Sequence, residues 1–214
     1  MNKLACLLVV AASSAGVASA QSWGSDFQRH HFTAGLGVAV PGSDLKPYYK
    51  NAFGWSLAYG YRPLKYAQID VGYDGAYNSA QVDDYLNNPS FGAVRIRDFQ
   101  TFIPLGGRVV LPMARGRAEV FGGGGALYAR YAEMLRQPSE YLNLACPVCQ
   151  ARDGWGYYAM LGGNVAVDRG NHFRLGVTVK VNRVETSGAP IGNLPSYRTQ
   201  DRWVNSYLTF GFSF

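Results

Sequence analysis

The sequence predicts an all-β protein, an eight-stranded antiparallel up-and-down transmembrane β-barrel. Three observations carry that reading. From residue 31 onward, apolar residues recur with a period of two rather than 3.6. The connections between the periodic segments alternate between short and long. One face of each segment is bulky and apolar while the other is small or polar.

Composition narrows the choice first. The chain has 214 residues, 48% hydrophobic, 14% aromatic and only 16% charged, so it is not disordered. Three cysteines cannot staple a chain of this length, which excludes a small disulfide scaffold. No segment after the N-terminus approaches the roughly 20 apolar residues of a spanning helix. Mean hydropathy is −0.10, so any membrane signal must lie in alternation.

Residues 1–20 read as a secretory signal peptide. Lys3 gives a positive start, Leu4 to Val10 an apolar core, and Ala18-Ser19-Ala20 a cleavage site before Gln21. Export places the remaining cysteines in an oxidising compartment. Residues 21–30 are expected as an N-terminal periplasmic segment, and 31–214 as the barrel.

The strands follow in order. Phe32, Leu36 and Val38 alternate with Thr33, Gly35 and Gly37 in the first. Phe53, Trp55, Leu57, Tyr59 and Tyr61 alternate with Gly54, Ser56, Ala58, Gly60 and Arg62 in the second. Ile69, Val71, Tyr73 and Tyr77 mark the third, against Gln68, Asp70, Gly72 and Asp74. Phe99, Ile103, Leu105, Val109 and Leu111 mark the fourth, against Asp98, Gln100 and Arg108. Residues 118–131 and 155–167 form the glycine-rich fifth and sixth. Phe173, Leu175, Val177, Val179 and Val181 mark the seventh, and Val204, Leu208, Phe210, Phe212 and Phe214 the eighth.

Residues 63–65, 112–116 and 168–171 are short turns. Residues 42–51, 78–96, 133–154 and 186–200 are long connections. Short turns at one end and long loops at the other mark a barrel of the bacterial outer-membrane type. A soluble lipocalin-like barrel has the same strand count but carries its bulky side chains inside. Eight strands leave too narrow an interior for eight rows of Phe, Leu, Tyr and Val. The bulky face must point outward, into lipid. Trp55, Tyr61, Tyr66, Tyr77, Trp155, Trp203, Phe212 and Phe214 fall where interfacial girdles belong.

The final strand, Tyr207-Leu208-Thr209-Phe210-Gly211-Phe212-Ser213-Phe214, resembles the assembly signal of outer-membrane barrels, a last strand ending in Phe with apolar residues at alternate positions. With the signal peptide and the strand count, the chain resembles the small barrels of the OmpA transmembrane-domain and opacity-protein type. The resemblance implies recognition of Phe210, Phe212 and Phe214 by the barrel assembly machinery. It also implies roles in envelope integrity, adhesion or slow solute passage, rather than catalysis. No peptidoglycan-binding domain follows the barrel, so anchoring to the cell wall is not expected.

The residues of the lumen phase include Asp70, Asp74, Arg108, Glu119, Arg174 and Lys180. A turn centred between Met113 and Ala114 would set Arg108 opposite Glu119. Such charges form either a selectivity constriction or the ties of a plugged lumen. The narrow bore favours the plug. Cys146-Pro147-Val148-Cys149 lies in the third long connection. A loop disulfide between Cys146 and Cys149 is the first reading, and metal capture the second. His30, His31 and His172 are expected as solvated residues at the short-turn end. No histidine falls at the long-loop end, which counts against a barrel hydrolase or acyltransferase. The four consecutive glycines, Gly122 to Gly125, lack the Lys-Ser/Thr of a phosphate loop and suggest close packing or a bend, with a neighbouring Tyr above them.

No cofactor or metal site is expected. The net charge of +6 is scattered, with no basic run for nucleic acid. The expected partners are outer-membrane lipid and lipopolysaccharide, whose phosphates suit arginines near the barrel ends, and an extracellular ligand at the loops. A structural, adhesive or surface-interaction role comes first. A narrow porin-like channel or a lateral path for small apolar solutes comes second, and a lipid-modifying enzyme last.

Overall fold

The computed structural model describes residues 27–42, 45–81, 85–88, 92–136, 146–191 and 194–214, with side chains except at 85–88, 92–95, 136 and 146–148. Nine strands form among them: β1 (His30–Pro41), β2 (Ala52–Leu64), β3 (Ala67–Tyr77), β4 (Tyr85–Asn88), β5 (Gly92–Met113), β6 (Ala118–Arg136), β7 (Cys146–Ala166), β8 (Phe173–Gly188) and β9 (Thr199–Ser213). Eight of them make an antiparallel up-and-down ring. β1 pairs with both β2 and β9, and β3 pairs directly with β5. β4 pairs with the first residues of β5, outside the ring. Closure leaves the ring itself no bare edge, which a lipid environment demands.

The signal peptide lies outside the described residues, as does most of the segment before the barrel. His30 already belongs to β1, one residue earlier than expected. The N–H groups of Arg29 and His30 both donate to Phe214 O, so the two ends of the ring meet at the short-turn end.

The turn between β5 and β6 corrects one expectation. Ala114, Arg115 and Gly116 all take positive φ, and the turn pairs Met113 with Ala118. Its centre lies two residues beyond the expected one. Arg108 therefore faces Gly123, and Glu119 faces Pro112. The displacement preserves the period of two, so both side chains still point into the lumen, but they do not pair with each other.

The outer face is apolar throughout its middle: Leu57, Leu105, Leu161, Val177 and Leu208 are all more than half exposed. An aqueous surface does not carry a belt of this extent. Aromatic clusters bound it at both ends. Phe53, Trp55, Tyr77 and Phe99 pack tilted or edge-on at the long-loop end, with Tyr128 against Trp155. At the other end His30, Phe32, Tyr59, Phe173, Phe212 and Phe214 form a continuous set. Trp203, expected in a girdle, is instead fully buried inside the barrel. Its phase matches Asn205 and Tyr207, and phase decides the face.

Several strands outrun the bilayer. β5, β6 and β7 have 22, 19 and 21 residues, where about 9–11 suffice to cross. Residues 92–96, 133–136 and 146–154, expected as loop, are strand. Once two strands are hydrogen-bonded, pairing continues into water at little cost, and the polar residues Arg130, Glu133 and Asp153 suit that exposure. The β4–β8 side of the barrel thus stands above the outer girdle as a wall.

Candidate functional site

The inward faces of the ring meet in a lumen that is filled by three successive layers. At the short-turn end, Glu119 accepts two hydrogen bonds from Arg62, at 2.9 and 3.3 Å, and lies 3.4 Å from Arg174. Arg174 also donates to Asn164 Oδ1 and to Gly116 O. Gln68 Oε1 accepts from Arg62, and its Nε2 donates to Asp70 at 2.7 Å. Asp70 takes the fork of Arg108, with contacts of 2.7 and 2.6 Å. The Arg108 guanidinium lies 4.6 Å over the Phe121 ring. That ring fits only because Gly162, its cross-strand partner, has no side chain: a Cβ there would come within 2.6 Å of it.

In the middle layer, Lys180 Nζ sits 2.8 Å from both oxygens of Asp74, and Ser56 Oγ donates to the same carboxylate at 2.6 Å. A cavity of about 30 Å³ remains between the two lower layers, lined by Ser56, Asp70, Arg108, Thr178, Lys180 and Thr209. It has room for one or two waters.

The third layer closes the long-loop end with apolar groups. Trp203 Nε1 donates to Tyr131 OH at 2.9 Å. Phe102 and Tyr49 pack edge-on against both rings. Leu45 and Tyr49 come from the first long connection, and Ile191 and Leu194 from the fourth; all four are buried. Burial, with Asp98 and Asp201 nearby, pushes the Tyr49 hydroxyl well above its usual pKa. Sequence reasoning reserved the lumen for small and polar groups. That description fails here, because Ala39, Ala76 and Ala129 leave space for the rings.

Two polar ties fasten the connections to this layer. Arg152 is fully buried and donates to Thr186 Oγ1, Thr186 O, Pro195 O, Tyr197 O and Thr199 Oγ1 at 2.7–3.2 Å. It thereby holds the fourth connection down on the barrel rim. Asp98 accepts the N–H groups of Ser79 and Ala80, fixing the start of the second, and bonds Gln100.

All six lumen charges named from the sequence point inward. The structure adds partners the sequence did not single out: Arg62 and Gln68 below, Asp98, Arg152 and Asp201 above. Arg62 was legible by phase, since it continues Ser56, Ala58 and Gly60 at period two. Among the described residues, the well-buried lumen charges are five acids (Asp70, Asp74, Asp98, Glu119, Asp201) and five bases (Arg62, Arg108, Arg152, Arg174, Lys180). These buried charges carry both signs in equal number, unlike the single-sign ring of a selectivity filter.

His31 corrects the expectation of solvated histidines. It is buried in the floor, with Nδ1 2.8 Å from Ser213 Oγ and Nε2 2.9 Å from Gln28 O. A carbonyl can only accept, so Nε2 carries the proton and the Ser213 hydroxyl donates to Nδ1. Cys149 is disulfide-bonded, while the side chain of Cys146 lies outside the described residues. The Cys-Pro-Val-Cys segment opens β7 instead of lying in a loop. It sits at a register break where Glu133 pairs with Gln150 but Leu135 pairs with Cys146. Gly122 to Gly125 serve close strand packing: a Cβ at Gly124 would come within 2.4 Å of Tyr158 O. Phe210, Phe212 and Phe214 all face outward.

No protein-family model and no curated protein sequence matches the chain. Solved structures do. Neisserial surface protein A matches 86% of this chain over 97% of its own, with 11% identity and a TM-score of 0.56. The outer membrane protein OprG of Pseudomonas aeruginosa matches 87% over 97%, with 13% identity and a TM-score of 0.55. Ail, the attachment invasion locus protein of Yersinia pestis, solved with the heparin analogue sucrose octasulfate, matches 88% over 100%, with 10% identity and a TM-score of 0.51. The fold is that of the small outer-membrane β-barrels. With its apolar belt and paired girdles, the chain is built for the bacterial outer membrane.

Proposed function

We propose that this chain is a closed surface barrel whose role is structural, adhesive or surface-interacting, exercised through its extracellular face. The filled lumen carries the reading. Two layers of paired charges and one of packed aromatic rings stand between the two ends, around a cavity no larger than a water or two. A conducting path would have to break buried ion pairs, each break leaving an uncompensated charge at about 3–5 kcal/mol.

The parts left to meet a partner are the β4–β8 wall and the long connections. Arg152, Asp98 and Tyr49 hold three of these connections to the barrel. Loops fixed on a rigid scaffold suit recognition, because little ordering entropy is lost on binding. We read the chain as non-enzymatic, since its buried carboxylates are engaged with bases, hydroxyls or backbone N–H groups. The barrel assembly machinery is the proposed reader of Phe210, Phe212 and Phe214.

The sucrose octasulfate complex of Ail suggests heparin as a probe, alongside an epithelial cell layer. Bacteria displaying the protein should adhere to one of these surfaces. Replacing residues 43–50 and 190–197 by short Gly-Ser turns should abolish adherence while the barrel still folds. Adherence no greater than that of cells lacking the protein would overturn the adhesive reading.

A further inference from the structure

At one height the outward face of β8 and β9 departs from the rest of the barrel. Phe173 and Phe212 lie directly opposite each other in the lower girdle. Ten residues further along each strand stand Arg183 and Arg202, again directly opposite. Ten residues of a strand tilted by about 40° rise about 25 Å, the height of the apolar band. The two guanidinium groups therefore stand on the outer headgroup plane. Elsewhere in that zone aromatic side chains point outward, among them Phe53, Trp55, Phe99, Tyr128 and Trp155.

Like charges directly opposite on paired strands repel. Among the described residues neither arginine has an acidic partner. Glu185, the next outward residue above Arg183, is held by Arg198 at 3.1 Å. Arg202 is nonetheless held at its backbone and stem. Gly42 N–H donates to Arg202 O at 2.7 Å, and the arginine stem lies so close over Gly42 that a Cβ there would come within 2.7 Å of it. Two exposed guanidinium groups, neutralised by no described residue and standing at the plane of lipid phosphates, fit a bridging dianion. The planar fork matches phosphate oxygens.

We propose that Arg183 and Arg202 form a binding site for a phosphate group of outer-leaflet lipopolysaccharide. The assignment rests on the outer-membrane reading and adds a defined lipid contact to it. The site also accounts for the unpaired charges, because a bound phosphate turns the repulsion between them into two attractions.

The test uses the refolded chain in neutral detergent, with unfolding followed by the gel shift between folded and boiled protein. The probes are lipopolysaccharide bearing phosphorylated lipid A, the same material dephosphorylated, and inorganic phosphate. Phosphorylated lipopolysaccharide should protect the protein against heat. An Arg183→Gln/Arg202→Gln variant should bind it about tenfold more weakly, yet be at least as stable as the parent without lipid, since the repulsion is gone. Dephosphorylated material should not distinguish the two proteins. Equal affinity of parent and variant would overturn the site. Inorganic phosphate protecting as well as the lipid would make it a free-anion site and overturn the lipid assignment. A refolded protein that is monomeric in water without detergent would fail the outer-membrane reading itself, and the site with it.

Discussion

Asp74 and Lys180 show what the lumen charges do for the fold. Removing one partner strands the other in a dry interior, so Lys180→Met should cost about 3–5 kcal/mol, measured by urea unfolding of the refolded barrel. Replacing both, as Asp74→Leu/Lys180→Met, should restore most of that loss. If the single and double variants were equally unstable, the pair would not be the unit. Asp168, in the turn between β7 and β8, carries a pH prediction. Slight desolvation raises its pKa, but N–H donors from Phe173, His172 and Gly170 outweigh that and hold it below the ordinary value. A lowered folded pKa contributes stability above the ordinary value of 3.8 that is lost as pH falls through the folded one. Asp168→Asn should therefore remove part of the acid sensitivity below about pH 4, read as a flatter dependence of the unfolding midpoint on pH. At this scale the period of two made the lumen charges legible. Their partners were not, because the ion pairs join strands far apart in sequence, and Arg108 and Glu119 each found a different partner once the turn at Ala114 set the register.

Among the elements, strand identity and order were legible from alternation, while strand length was not. Alternation fades where β5, β6 and β7 leave the membrane, since an exposed two-sided wall needs no apolar face. Backbone pairing extends those strands nonetheless. The same blindness hid the aromatic cap: Trp203 and Tyr131 lie in the lumen phase, but only the small residues Ala39, Ala76 and Ala129 around them reveal that rings fit inside. Arg152 ties this cap to the fourth connection through carbonyls and hydroxyls, without a carboxylate. Arg152→Ala should free residues 189–198 and expose them to protease, with little change in the global unfolding midpoint. Cleavage would be read by mass spectrometry of limited digests. Unchanged resistance would show that Ile191 and Leu194 suffice to hold the connection.

The whole molecule combines an apolar exterior with an interior closed twice, by balanced charge below and by packed rings above. Ring closure between β1 and β9 removes the last bare edge. The fold class followed from sequence because the bilayer admits few solutions: alternating strands of this number, with bulky residues on one face, must close with that face outward. The state of the lumen did not follow, because it depends on the pairing of seven charged side chains across the bore. That state is also the claim on which the functional reading stands. The measurement that tests it most directly is single-channel conductance of the refolded, heat-modifiable protein in a planar bilayer at neutral pH. A closed lumen predicts silence, both in the parent and after Lys180→Met if the aromatic cap is intact. Stable openings in the parent, altered by Arg108→Ala, would contradict it and make the paired charges the walls of a pore.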